Sequence, residues 1–119
     1  MKRILVVDDD AALLEVLAQT LSQAGYTVAT AANGRQAEAI YRIQSPDVVI
    51  TDIYMLDKDG LEVLSELRRH FPGVKVIAMS GAMSKDNMLQ VVSALGASLT
   101  LAKPFGPAEL LQAVAQVAA

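Results

Sequence analysis

Asp47-Val48-Val49-Ile50-Thr51-Asp52 is the stretch that decides the fold. Residues 47–51 read as a strand whose apolar residues do not alternate with polar ones. A strand that is apolar throughout is buried on both faces, as in a parallel sheet covered by helices on each side. Three other short runs share its character. Ile4-Leu5-Val6-Val7 runs into Asp8-Asp9, Val76-Ile77-Ala78-Met79 into Ser80, and Leu99-Thr100-Leu101-Ala102 into Lys103. Each of the four runs ends on a side chain able to handle a phosphoryl group. Ligands of open parallel sheets bind beyond the carboxyl ends of the strands. The spacing therefore predicts three carboxylates, a hydroxyl and an ammonium converging on one edge.

Outward from these runs the pattern alternates between strand and helix. Residues 3–7 form the first expected strand. A helix follows on Leu14, Leu17, Ala18 and Leu21, stopped by Gly25. Residues 26–31 are the second strand, where Thr27 and Val28 favour extended backbone. Asn33-Gly34 marks a turn before a second helix carrying Ala37, Ile40 and Tyr41, which Ser45-Pro46 ends. Residues 52–60 read as a loop. Leu61, Leu64 and Leu67 stripe a third helix finishing in Arg68-Arg69-His70, cations suited to a helix C-terminus. Phe71-Pro72-Gly73 breaks the chain before a fourth strand at 74–79. Met88, Val91, Val92 and Leu95 mark a fourth helix closed by Gly96, and residues 98–102 form the fifth strand. Pro107 opens a fifth helix with Leu110, Leu111, Val114 and Val117 on its apolar face. Five βα units with right-handed crossovers predict a three-layer, doubly wound α/β fold with a five-stranded parallel sheet.

Bulk properties narrow the function. The chain has 119 residues, 53% hydrophobic and 19% charged, enough for one globular domain spanning 1–119. No apolar stretch is long enough to span a bilayer, and Asp8 cuts the first apolar run too short for a secretory leader. Absence of cysteine excludes a disulfide framework and thiolate metal sites. The expectation is a cytoplasmic protein without a membrane partner. A net charge of −3 argues against direct binding to nucleic acid.

Asp8, Asp9 and Asp52 would repel one another strongly if all were ionised without a partner. A hard divalent cation resolves this, and Mg²⁺ accepts oxygen ligands while keeping several waters. Lys103 adds a further positive charge and Ser80 a hydroxyl. Such a set suits phosphoryl transfer, in which the protein mainly positions groups and neutralises charge. Asp8 and Asp9 are adjacent and fit metal ligation. Asp52 stands alone at the end of a central strand and is assigned as the nucleophile that forms an aspartyl phosphate. Asp10 is an N-cap for the first helix without a role in the site.

These residues carry a resemblance. Along essentially its whole length the chain resembles the receiver domain of bacterial two-component response regulators, of the chemotaxis-regulator-like kind. The matching motifs are residues 4–10, residues 47–52, Met55 with Asp59-Gly60, Ser80-Gly81-Ala82 and Lys103-Pro104-Phe105. The resemblance implies a flavodoxin-like sheet of order 2-1-3-4-5. It implies that Asp52 accepts a phosphoryl group from a sensor histidine kinase or histidine phosphotransfer protein. Asp9 and Asp52 resemble direct Mg²⁺ ligands, with the Tyr54 backbone carbonyl as a third, and Asp8 one acting largely through metal-bound water. Ser80 is similar to the hydroxyl that bonds the phosphoryl group and shifts on phosphorylation, and Lys103 to the lysine that pairs with a phosphoryl oxygen. Pro104 sits where the family has a cis Lys-Pro bond. Activity is then a signalling switch that catalyses its own phosphorylation and dephosphorylation, not turnover of a substrate.

Some positions depart from the family pattern. Thr100 stands where many receivers carry Tyr or Phe, and threonine cannot fill the volume of a swinging ring. Leu56 follows Met55 where proline is usual. Between Asn87 and Ala119 only Lys103 and Glu109 are charged. Docking faces are depleted of charge at their cores, so the fourth helix, fifth strand and fifth helix are expected to bind a downstream protein or a second copy. Three other readings fit less well than the phosphorylated switch. An aspartyl-phosphate phosphohydrolase needs a general acid that is not evident. A flavodoxin-like cofactor binder needs a hydroxyl- and glycine-rich first loop, where this chain has Asp8-Asp9-Asp10. A receiver-like docking module without phosphorylation would have no use for the complete acid and lysine set.

Overall fold

The computed structural model describes residues 2–52, 65–67, 69–71, 73–80 and 96–118. Five strands form one parallel sheet: β1 (Arg3–Val7), β2 (Thr27–Ala31), β3 (Val48–Asp52), β4 (Lys75–Ser80) and β5 (Leu99–Ala102). Their order is β2-β1-β3-β4-β5, as the resemblance implied. Helix α1 (Ala11–Gln23) follows β1, α2 (Gly34–Gln44) follows β2, and the C-terminal helix (Pro107–Ala118) follows β5. Residues 65–67 and 69–70, within the expected third helix, are helical.

Two apolar layers sandwich the sheet, and period-two alternation sorts each strand between them. Leu5, Val7, Val49, Val76 and Ala78 face one layer, packed with Ala37 and Tyr41 of α2 and with Leu67. Ile4, Val6, Val48, Ile50, Ile77 and Met79 face the other, with Leu14, Leu17 and Leu21 of α1 and Leu110, Ala113, Val114 and Val117 of the C-terminal helix. Burying each such side chain contributes about 1.5–3 kcal/mol. Every residue of β3 is buried, which is why its apolar run has no alternation.

The same parity positions the site. Ile4 and Val6 precede Asp8 by even steps, Val48 and Ile50 precede Asp52, and Leu99 and Leu101, packed against the second layer, precede Lys103. All three polar residues therefore fall on the α1 side of the sheet. The register sets Val7 opposite Thr51, so that Asp8 and Asp52 follow side by side.

Local chemistry explains the element ends. Asp10 caps α1, its side chain accepting from Ala12 N–H and Leu13 N–H. At the other end, Gly25 N–H donates to Ser22 O and Tyr26 N–H to Leu21 O, a Schellman closure that needs the positive φ of Gly25, 100°. Because Tyr26 serves that closure, β2 starts at Thr27 and not at 26. Asp47 lies just ahead of β3: its N–H donates to Arg3 O and its carboxylate accepts from Arg3 N–H, both at 2.8 Å. Val74 N–H is taken by Phe71 O, so β4 starts at Lys75 and runs on to Ser80. Asn33-Gly34, expected as a turn, is instead the start of α2, with Asn33 as N-cap accepting from Gln36 N–H at 2.9 Å. The first-helix stripe is buried at Leu14, Leu17 and Leu21, with Ala18 half-buried. In the C-terminal helix Ala113 is buried, and Leu111 is only partly so. Leu61, Leu64 and the expected fourth helix lie outside the described residues.

Candidate functional site

The carboxyl edge of the sheet gathers the predicted acids. Carboxylate oxygens of Asp8, Asp9 and Asp52 all lie within 4.8 Å of one another. Asp8 is fully buried and Asp52 is 7% exposed, whereas Asp9 is exposed. The cluster thus has a buried floor and one open corner.

Lys103 reaches into it from the end of β5. Its ammonium donates to Asp8 Oδ2 at 2.7 Å and to Asp52 Oδ2 at 2.9 Å. Burial lowers the ammonium pKa, but the hydrogen bonds to Asp8 and Asp52 and the attraction of their charges outweigh it, and the net pKa is raised. Lys103 is therefore a fixed cation at neutral pH. The second oxygen of Asp8, Oδ1, accepts from Asp10 N–H at 2.9 Å. Both oxygens of this buried carboxylate are thereby satisfied, as burial requires.

Backbone bonds hold the rim. Asp8 N–H donates to Ala31 O, extending the β1–β2 ladder by one step, and Lys103 N–H donates to Ser80 O at 2.6 Å, extending the β4–β5 ladder. Ser80 is buried at the end of β4. It has the parity of Val76 and Ala78, opposite to that of the aspartates, and enters the rim at the neighbouring strand end. The Lys103-Pro104 peptide is cis. Thr100 is half-buried in β5, opposite Ala78. Tyr54, Met55, Asp59-Gly60 and Gly81-Ala82 lie outside the described residues, so the Tyr54 carbonyl is not placed.

Among the described residues, the donors in the cluster are all oxygens, and the one ammonium, that of Lys103, stands against three carboxylates. This fits a hard divalent cation of the size and ligand preference of Mg²⁺. Beside the site, the surface between α1 and the loop after β5 forms an apolar groove of about 220 Å³, with Leu13, Val16, Lys103, Phe105 and Leu110 among its lining residues. Val16 is 56% exposed there. Sequence reasoning did not anticipate this groove, although Val16 interrupts the polar side of α1. It also missed the bond from Asp10 to Asp8, for which the adjacent acids were the only signal.

A doubly wound parallel sheet with an acid cluster and a lysine at its carboxyl edge defines a class of α/β domain whose acidic pocket is compatible with a divalent cation. The comparisons name the family within that class. The model of the response regulator receiver domain matches residues 4–115, and the chain belongs to this family. It is 34% identical over 117 residues to the chemotaxis protein CheY of Thermotoga maritima, covering 98% of this chain and 97% of that one. It is 40% identical over 111 residues to the response regulator MprA of Mycolicibacterium vanbaalenii, covering 92% of this chain but 47% of that protein. Among solved structures, the chemotaxis protein CheY4 of Vibrio cholerae superposes with a TM-score of 0.93 at 32% identity, covering 98% of both chains. Receiver domains are the signalling switches of two-component systems, a family that works with histidine kinases and downstream effectors. Among the described residues, no helix is long and apolar enough to cross a membrane.

Proposed function

We propose that this chain is a single phospho-accepting receiver domain, with Asp52 as the acceptor, acting in the cytoplasm. The observation that carries this reading is the pairing of Lys103 with Asp52 at 2.9 Å, inside a cluster where Asp8 and Asp9 stand within 4.8 Å. Asp8, Asp9 and Asp52 are the residues that would hold Mg²⁺, which when bound supplies neutralisation of the incoming phosphoryl oxygens. A carboxylate oxygen of Asp52 attacks phosphorus. The N–P bond of a donor phosphohistidine breaks, and its electron pair returns to the imidazole, which keeps its proton balance with solvent. Lys103 turns its ammonium from the carboxylate to a phosphoryl oxygen, and the Ser80 hydroxyl donates to another. Loss of the phosphoryl group to water resets the switch.

The apolar groove beside Lys103 supports a protein donor, since an exposed apolar wall at the mouth of a charged site serves a macromolecular contact better than a small anion. Output is assigned to β5, the C-terminal helix and the expected fourth helix, where charge is sparse. Phosphorylation biases a two-state equilibrium at that face, with Ser80, Thr100 and Pro104 as the switch positions. The test is incubation with acetyl phosphate and Mg²⁺, followed by intact mass. The wild-type chain gains the mass of one phosphoryl group and Asp52→Ala does not. Equal labelling of both proteins defeats the assignment of Asp52, and labelling of neither defeats the reading altogether.

A further inference from the structure

We infer that Asp10 is a positioning residue for cation binding, acting through Asp8. The inference rests on the reading of the acid cluster as a cation site. Asp10 does two jobs from one backbone position. Its side-chain Oδ1 accepts from Ala12 N–H at 3.1 Å and Leu13 N–H at 3.2 Å, capping α1. Its own N–H donates to Asp8 Oδ1 at 2.9 Å. The direction of that N–H follows from the backbone at residue 10, held extended at φ −92° and ψ 103°. The cap holds this backbone, because it ties residue 10 to the first turn of a helix anchored by buried Leu14, Leu17 and Leu21.

Asp8 depends on that bond. The side chain is fully buried, so water does not replace a lost donor freely. With Oδ2 held by Lys103 and Oδ1 by Asp10 N–H, the carboxylate plane is fixed at both ends. Groups that orient a metal-binding carboxylate contribute to affinity without touching the metal. Removing the Asp10 side chain leaves its N–H in place but frees its direction, and Asp8 loses one of its two anchors.

The experiment is a Mg²⁺ titration followed by amide NMR shifts, with no phosphoryl donor present. Asp10→Ala is expected to weaken Mg²⁺ binding about tenfold. Asp10→Asn and Asp10→Ser, which keep a capping oxygen without the charge, remain within about twofold of wild type. Asp10→Gly, tolerated at helix N-caps but lacking the acceptor, weakens binding as alanine does and serves if Asp10→Ala does not fold. Wild-type affinity in a folded Asp10→Ala or Asp10→Gly overturns the inference alone. Equal loss in Asp10→Asn and Asp10→Ala also overturns it, by assigning the effect to charge. A wild-type chain that binds no Mg²⁺ overturns the cation reading and this inference together.

Discussion

Lys103 and Asp8, separated by 95 positions in the chain, meet at 2.7 Å on the carboxyl edge of the sheet. The ammonium is shared with Asp52, so a single cation from β5 links the ends of β1 and β3. Among the described residues its single charge faces three acids, and the stability of the chain should therefore respond to each member of the cluster in a predictable direction.

Replacing Lys103 with methionine leaves the buried Asp8 carboxylate with the Asp10 N–H as its remaining described anchor. We expect Lys103→Met to lose about 1–3 kcal/mol in urea unfolding without metal, the range for a buried polar group deprived of its partner. The side chain of Lys103 is 23% exposed, which keeps the cost below that of a fully buried pair. Asp9→Asn should act oppositely and raise the unfolding midpoint in metal-free buffer, because it removes one of three mutually repelling charges. Added Mg²⁺ should stabilise wild type more than Asp9→Asn. A destabilised Asp9→Asn chain would show that the acids do not repel as the geometry implies.

The apolar groove gives a kinetic prediction. Val16→Glu places a charge on an exposed apolar wall, away from Asp52. Transfer from a phosphohistidine protein should slow by roughly tenfold, while labelling by acetyl phosphate stays unchanged. Equal effects on both donors would mean that the groove is not a contact for the protein donor.

Tyr41 should contribute to a decline of stability at alkaline pH. Burial, followed by the negative charge of Asp47, raises the phenol pKa above its ordinary value. Above pH of about 10 the unfolded chain sheds this proton while the native chain keeps it. The unfolded state then binds fewer protons, so stability falls as pH rises. The contribution is complete below the unfolded pKa and is lost as pH climbs through the native value. Tyr41→Phe, which keeps the ring against Phe71 at 4.0 Å, should show a shallower alkaline decline in unfolding free energy. Identical slopes would rule Tyr41 out as a source of the decline.

Gly25 isolates a backbone effect. Its φ is 100°, and a Cβ added there would meet nothing within 4 Å. Gly25→Ala should therefore cost about 1–2 kcal/mol through the left-handed conformation alone. Calorimetry should find a smaller loss for Gly25→Asn than for Gly25→Ala, because asparagine visits the left-handed region more readily; equal losses would show that backbone conformation is not the source.

Fold class was written in local pattern. Short apolar runs without alternation, rich in β-branched residues, read as strands, with β3 buried on both faces, and Leu14, Leu17 and Leu21 stripe one helix face. The ends of elements were less readable. Asn33-Gly34 carries the signal of a turn and of a helix cap alike, because the Asn side chain accepts from a backbone N–H two or three residues on in either case. Tyr26 and Asp47 look like strand residues until their backbone groups are seen to be committed to a helix closure and to Arg3.

The identities of the site residues were also local, since each stands where a short apolar run ends. Their partners were not. Alternation tells which strand residues share a side with Asp8 or Lys103, but only strand order and register bring those sides together. The chain alone thus determined a doubly wound sheet with acids, a hydroxyl and a lysine at its strand ends. Tertiary structure decided that Lys103 bridges Asp8 and Asp52, that Asp10 anchors Asp8, and that Val16 lines a groove beside them. The reason is physical: periodicity follows from bonds between neighbouring residues, whereas a contact across 95 positions depends on how every intervening element packs.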